Sequence, residues 1–389
     1  MKRIGIRIYQ FIIKVASIFL LNKKQLVYKG EKELSHLCFD LSKRCKKVFL
    51  LIGPNIKKRG YELKIKDTLE KFHLNVFVYV SSSFEPSIEM VKEAYSIFKE
   101  NSCDCIFAIG GGSILDLAKA IKAISANKTK PIFGLLKVKR NKVALVSSPT
   151  TAGTGSEATL VSVIKDEDKV KKTIISPRIL PDFIYFNPTF LSSLPKNVAS
   201  SAGLDAFTHA VESFISKGGS YNTRKNAKKS LLLFKDNFLK FIDDRSDYSS
   251  AMNMLLSSYY AGLSFTRAYV GYAHSIGHAL GATYNIPHGI AVIHSLLYIL
   301  PKYGNSIKKR KKQIEDILGI DISLEEYISS LLKKCDIPPL NLEIDENKAK
   351  SLSILADKET IPLYPVPKIF AVNDLTMFIK EIGKGRYEN

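Results

Sequence analysis

The chain has 389 residues, 46% hydrophobic and 24% charged, which is enough apolar material for two packed domains and excludes a disordered or fibrous protein. The formal net charge is +21, but the lysines are spread along the whole sequence. The densest run, Lys308-Lys309-Arg310-Lys311-Lys312, contains no aromatic residue on which a base could stack, so no nucleic-acid partner is expected. Five cysteines, odd in number and without a C-x-x-C pair, argue against a disulfide framework and fit a reducing, cytoplasmic setting.

Residues 1–25 begin with Met1-Lys2-Arg3 and an apolar run that looks like an export signal at first. Arg7, Gln10 and Lys14 interrupt it, and no small-x-small cleavage site follows, so neither a signal peptide nor a transmembrane segment is expected. Polar positions 3, 7, 10 and 14 recur every three or four residues. That spacing predicts an amphipathic helix lying on a surface: the body of the protein or a partner subunit, with weak peripheral membrane contact as the alternative.

From residue 26 to 195, short apolar runs alternate with helical stretches: 47–52, 75–80, 105–109 and 142–146. Continuous apolar strands separated by helices predict a parallel sheet covered on both faces, an α/β nucleotide-domain pattern. After the third run comes Gly110-Gly111-Gly112-Ser113, with Asp116 and Lys119 in the following helix. Glycines there let backbone N–H groups converge on an anion at a helix N-terminus, a place for a pyrophosphate. After the fourth run comes Ser147-Ser-Pro-Thr-Thr-Ala-Gly-Thr-Gly-Ser-Glu157, expected to form a flexible hydrogen-bonding lip at the carboxyl edge of the sheet. Both loops should face one cleft.

Beyond Leu194-Pro195 the strand pattern stops. Segments 198–216, 224–242, 250–266 and 270–283 carry helical periodicity, so residues 196–389 are predicted to be an all-helical domain. Five of the seven histidines fall between 209 and 294 in that half. Asp205 and His209 stand at i and i+4, about 6 Å apart on one helix face. His274 and His278 repeat the spacing, and His288 follows in a Pro-His-Gly turn. Asp205, His209, His274 and His288 form an oxygen-and-imidazole set suited to one divalent metal, Fe²⁺ or Zn²⁺, since the donors do not decide between them. His294, six residues after His288, points to another helix face and is read as structural.

Four stretches carry a resemblance: Gly110-Gly-Gly-Ser-x-x-Asp-x-Ala-Lys119, Pro149-Thr-Thr-Ala-Gly-Thr-Gly-Ser-Glu157, Gly203-Leu-Asp-Ala-Phe-Thr-His-Ala-Val-Glu212 and His274-Ser-Ile-Gly-His-Ala-Leu-Gly-Ala-Thr-Tyr-Asn-Ile-Pro-His-Gly289. In order and spacing they resemble the iron-containing (group III) alcohol dehydrogenases, from about residue 27 onward. The resemblance implies a dehydroquinate synthase-like two-domain fold, with an α/β dinucleotide-binding domain and an all-α metal-binding domain. It also implies a cytoplasmic homodimer that interconverts a small alcohol and its aldehyde.

By that resemblance Asp205, His209, His274 and His288 would hold the metal, and His278 would stand beside substrate and nicotinamide as the proton handler. Gly111, Gly112, Ser113 and Asp116 would embrace the cofactor pyrophosphate, with Thr150, Thr151, Thr154 and Lys172 reaching toward the nicotinamide half. The metal would be the Lewis acid. One departure bears on the cofactor, NAD or NADP. Many family members carry an acid after the first strand of this pattern, which bonds the ribose hydroxyls and repels a 2′-phosphate. Here that stretch reads Ile52-Gly53-Pro54-Asn55-Ile56-Lys57-Lys58-Arg59, so NADP(H) is expected to be tolerated and slightly favoured, with Asn55 or the nearby cations bonding the phosphate. A second departure is Glu85, where a small polar residue is usual near the adenosine.

Two other readings use the same residues. A glycerol-dehydrogenase-like polyol oxidoreductase keeps the fold and cofactor cleft with another metal shell. A basic surface-binding protein on a dead scaffold would account for the charge, but not for an intact ligand set.

Overall fold

The computed structural model describes residues 3–20, 24–81, 85–127 and 131–385. Residues 1–2 and 21–23 of the expected N-terminal segment, and 386–389 at the chain end, lie outside the described residues. The strands are β1 (Leu26–Lys29), β2 (Lys47–Ile52), β3 (Asn75–Val80), β4 (Cys105–Gly110), β5 (Gly134–Leu135), β6 (Ala144–Pro149), β7 (Val161–Lys165), β8 (Lys171–Ile175) and β9 (Phe183–Phe186). The helices ahead of β9 are α1 (Arg3–Leu20), α2 (Glu33–Ser42), α3 (Pro54–Lys58), α4 (Tyr61–Lys71), α5 (Ile88–Glu100) and α6 (Gly112–Asn127). Those after it are α7 (Lys196–Ile215), α8 (Tyr221–Asp243), α9 (Tyr248–Ala268), α10 (Tyr272–Tyr284), α11 (His288–Tyr303), α12 (Lys308–Leu318), α13 (Leu324–Lys334), α14 (Glu346–Thr360) and α15 (Val372–Lys384).

Six strands pair in parallel in the order β1-β9-β6-β4-β2-β3. β2 shows why its run is apolar throughout. Phe49 and Leu51 enter one core with Val91 of α5 and Leu115 and Ala118 of α6, while Val48, Leu50 and Ile52 enter another with Leu37 of α2 and Leu69 of α4. A strand buried on both faces needs no polar alternation. The second core continues into the helical half, where it includes Phe207, Phe234, Leu296 and Leu352. The sheet and the helices after Lys196 therefore share one apolar interior.

Register sets the cleft. Ile52 pairs with Ile109, and Gly110 with Pro149, so β2, β4 and β6 end side by side at the carboxyl edge. The turns that follow are laced together: the Gly53 amide donates to the Ile109 carbonyl at 3.2 Å and the Thr150 amide to the Gly110 carbonyl at 3.0 Å.

Two features depart from the sequence reading. A small second sheet, β5-β8-β7, contains an antiparallel β7–β8 hairpin. The N-terminal helix is also turned the unexpected way. Gln10 is buried and its Nε2 donates to the Pro362 and Tyr364 carbonyls at 3.0 and 2.8 Å, with Ile6 buried beside it. Ile4, Ile8, Phe11 and Ile12 stay exposed. No helix among the described residues is long and apolar enough to cross a membrane.

Candidate metal and nucleotide site

α7 supplies three polar side chains on one buried face: Asp205, His209 and, one turn on, Glu212. Helix periodicity brings i, i+4 and i+7 into line. Glu212 works as a clamp on the start of α10. Its carboxylate accepts from the amides of Gly271 and Ala273 at 2.9 and 2.8 Å, which satisfies donors left over at a helix N-terminus. It also lies 2.6 Å from His274 Nδ1. A carboxylate only accepts, so Nδ1 carries the proton there and a neutral His274 turns its Nε2 lone pair toward Asp205.

The result is a buried convergence of acceptors. Asp205 Oδ1, His209 Nδ1 and His274 Nε2 are each shielded from solvent without a hydrogen-bond partner. Ligating atoms of these three residues all lie within 4.8 Å of one another. His288 enters from the first turn of α11, with Nε2 at 3.3 Å from Asp205 Oδ1, and is the more exposed member. Such a set suits a cation, since buried acceptors facing one another cost several kcal/mol when unsatisfied, on the order of 1–3 each. With protons alone in place of a cation, these groups would charge unevenly. Burial dominates at His209 and pushes it down to about 3, against the attraction of Asp205. At His274 burial is outweighed by the neighbouring carboxylates of Asp205 and Glu212, which push it up to about 9. Asp205 stays well below the usual carboxylate range because, despite burial, His209, His288 and His274 surround it.

Close packing holds the helices in place. A Cβ at Gly289 would overlap the Ser201 carbonyl of α7, so the glycine after His288 lets α11 press against the helix that carries Asp205. Phe265 of α9 stacks on His209 with ring centroids 4.1 Å apart. His278 stands one turn beyond His274, its ring stacked on His288 at 5.1 Å. His278 Nδ1 lies 2.7 Å from Glu359 Oε1, and the Tyr364 hydroxyl donates to the same oxygen at 3.0 Å. His294 is buried on α11 and bonds to the Pro338 carbonyl, away from the set.

On the other wall, the two glycine-hydroxyl loops meet. A Cβ at Gly111 would touch Thr151 at 3.6 Å, and one at Gly112 would press on Thr154 at 2.9 Å. Ser113 follows in the first turn of α6. The second loop is not the flexible lip expected from its composition. Gly153 and Gly155 are small because backbone passes there: a Cβ at either would come within 2.7 Å of the Ala202 or Ser258 carbonyl. Buried Lys119 donates to the Ser156 carbonyl and hydroxyl, to the Thr159 hydroxyl and to the Val161 carbonyl.

Several side chains expected on the nucleotide side have partners within the fold. Asp116 accepts from the Ser156 hydroxyl at 2.8 Å and the Val163 amide at 3.0 Å, tying α6 to the second loop and β7. Lys172 on β8 pairs with Asp166 of the same hairpin. Among the cations near Gly53, Arg59 is consumed in bonds to Tyr61, Thr189, Phe190, Ser192 and Ser193, and Lys57 pairs with Glu62 at 3.0 Å. Asn55 and Lys58 are exposed beside Gly53. Glu85 pairs with Lys165 and Lys171, so its charge is compensated within the fold.

Residues 25–188 match the iron-containing alcohol dehydrogenase model, and residues 199–369 match the C-terminal domain of Fe-containing alcohol dehydrogenases. Alcohol dehydrogenase 4 of Saccharomyces cerevisiae is 30% identical over 324 residues, covering 81% of this chain and 85% of that protein. Lactaldehyde reductase of Escherichia coli K12 is 29% identical over 308 residues, covering 75% and 80%. The structure of sulfoacetaldehyde reductase from Bifidobacterium kashiwanohense in complex with NAD⁺ superposes with a TM-score of 0.85 at 22% identity, covering 94% of this chain and 100% of that one. With both halves matched, this chain belongs to the iron-containing alcohol dehydrogenase family and is an oxidoreductase acting on CH–OH groups.

Proposed function

We propose that this chain interconverts a small alcohol and its aldehyde by hydride exchange with a nicotinamide dinucleotide, using one divalent metal held by Asp205, His209, His274 and His288. The observation that carries it is the convergence of three buried, unsatisfied acceptor atoms on one point beside a nucleotide-type cleft. Fe²⁺ suits these donors and the family's name, and Zn²⁺ suits the same donors. Bound there, the ion would supply Lewis acidity, lowering the pKa of a substrate hydroxyl or polarising a carbonyl.

The chain's own residues do the rest. Glu212 fixes the His274 tautomer and ring direction. Glu359 holds His278 Nδ1, which leaves Nε2 of the neutral ring with the lone pair to take or return the substrate proton. The apolar ring of Phe265 and the packed start of α11 keep water from the inner side. Gly111, Gly112, Ser113, Thr150, Thr151 and Thr154 line the edge where the dinucleotide would lie, and the start of α6 favours its pyrophosphate. NAD⁺ in the sulfoacetaldehyde reductase complex supports a nicotinamide dinucleotide here. The absence of an acid at Gly53, with Asn55 and Lys58 exposed beside it, supports acceptance of NADP(H) as well.

The test is an absorbance assay at the nicotinamide band with short aldehydes and diols, both cofactors, and Fe²⁺ or Zn²⁺ reconstitution. Aldehyde-dependent loss of reduced cofactor that requires added metal supports the proposal, and turnover that survives metal removal would refute it.

A further inference from the structure

Helix α1 lies ahead of residue 25, where the family match begins. It is an addition to the catalytic body, and its orientation is informative. One side is pinned: Ile6 is buried and Gln10 bonds two main-chain carbonyls of the 362–364 segment. Arg7 donates to Gln10 Oε1 at 2.9 Å and supports that seat. The opposite side presents Ile4, Ile8, Phe11 and Ile12, exposed at 74%, 56%, 66% and 59%. These stand at i, i+4, i+7 and i+8, one continuous stripe along a helix. The sequence continues the spacing at Val15, Ile18 and Phe19.

A stripe of bulky apolar residues held outward is costly in water, and single exposed apolar residues do not make such a pattern. Charge indicates what covers it. Lys2, Arg3, Arg7, Lys14, Lys23, Lys24 and Lys29 precede the first acidic residue, Glu31, so the first thirty residues carry seven cations and no anion. Apolar stripe and cation excess together describe a helix that lies in the headgroup region of an anionic bilayer. Neither feature alone would select lipid over protein.

We propose that α1 docks this enzyme peripherally on an anionic membrane surface through Ile4, Ile8, Phe11 and Ile12. Because Gln10 fixes the helix to the body, docking also fixes the orientation of the enzyme on the bilayer. The claim stands apart from the catalytic reading, since the four stripe residues face away from the body that carries the site.

The experiment is vesicle co-sedimentation of the full chain with phosphatidylcholine alone and with phosphatidylcholine–phosphatidylglycerol mixtures, at low and high salt. The expected result is partitioning at least about tenfold stronger onto the anionic vesicles, weakened by salt. The double variant Ile8→Glu/Phe11→Glu should lose it while alcohol oxidation and thermal melting stay unchanged. Lys23→Glu/Lys24→Glu, which leaves the stripe intact, should weaken only the salt-sensitive part. Failure of the wild-type chain to sediment with anionic vesicles would overturn the proposal. So would undiminished sedimentation of the Ile8→Glu/Phe11→Glu variant, or a fall in oligomer size for that variant without vesicle binding by the wild type, which would assign the stripe to a second copy of the chain.

Discussion

Glu359 Oε1 lies 2.7 Å from His278 Nδ1, although the two residues are far apart in sequence and sit on different helices. The carboxylate sets which ring nitrogen of His278 carries the proton and steadies the ring next to His288. Glu359→Gln should therefore lower kcat by about 10- to 100-fold with bound metal unchanged, and Glu359→Asp should restore part of it. Steady-state kinetics paired with metal analysis separates this from a structural effect, which would change KM and metal content together. His278→Ala should also lower turnover at full metal occupancy; loss of metal would instead make His278 a ligand.

Glu212 is expected to matter to metal retention rather than to the chemical step. Glu212→Gln removes the charge that orients His274 and unsettles the start of α10, so affinity should fall by about 10- to 100-fold. Chelator competition followed over time measures this directly.

Gly289→Ala places a methyl group where the Ser201 carbonyl stands. Moving α11 off α7 should cost about 1–3 kcal/mol and draw His288 away from Asp205. Lower thermal stability together with faster metal loss is the expected signature, and loss of stability with normal metal affinity would argue against a packing role for this glycine at the site.

Much of this arrangement is legible in the sequence. The run read as a strand at 47–52 matches β2, because a strand buried on both faces announces itself as an unbroken apolar stretch, and the run at 75–80 matches β3, an edge strand whose Val78 and Val80 stay exposed. The Asp205–His209 pair was visible from helical spacing alone. Glu212 stood in the same quoted stretch, at i+7 from Asp205, and the periodicity that paired the other two could have revealed it. Glu359 and Tyr364 gave no local signal, since only the packing of α14 against α10 brings them to His278. The same holds for Gly153 and Gly155, whose small size answers to backbone passing from α7 and α9 rather than to flexibility. β1 and β9, four residues each, are too short to show a period.

Gly53 offers a test of cofactor choice. A Cβ there would meet only Ile114, at an ordinary 3.7 Å, so Gly53→Asp can be accommodated. The added carboxylate should repel a 2′-phosphate and lower kcat/KM for NADPH at least about tenfold, with NADH little affected. Equal effects on both cofactors would show that the adenosine ribose lies elsewhere.

Glu157 gives the second loop a pH dependence. Burial pushes its carboxyl up to about 7, with Lys119 opposing. A carboxyl whose folded pKa is raised binds its proton more tightly in the native state, so stability falls as pH climbs from the ordinary carboxylate range through 7. Glu157→Gln removes that loss. The variant should gain on the wild type in thermal melts between about pH 5 and pH 8, by on the order of 3 kcal/mol. A gap that does not widen with pH would contradict the shift.

The central claim is that Asp205, His209, His274 and His288 hold one catalytic divalent ion. Elemental analysis of the Fe²⁺-loaded chain, with aldehyde-dependent NAD(P)H oxidation measured on the same samples, tests it most directly. The account expects one metal per wild-type chain, and parallel loss of metal and activity in Asp205→Asn and His274→Ala. Full activity in metal-free protein, or undiminished metal in both variants, would contradict it.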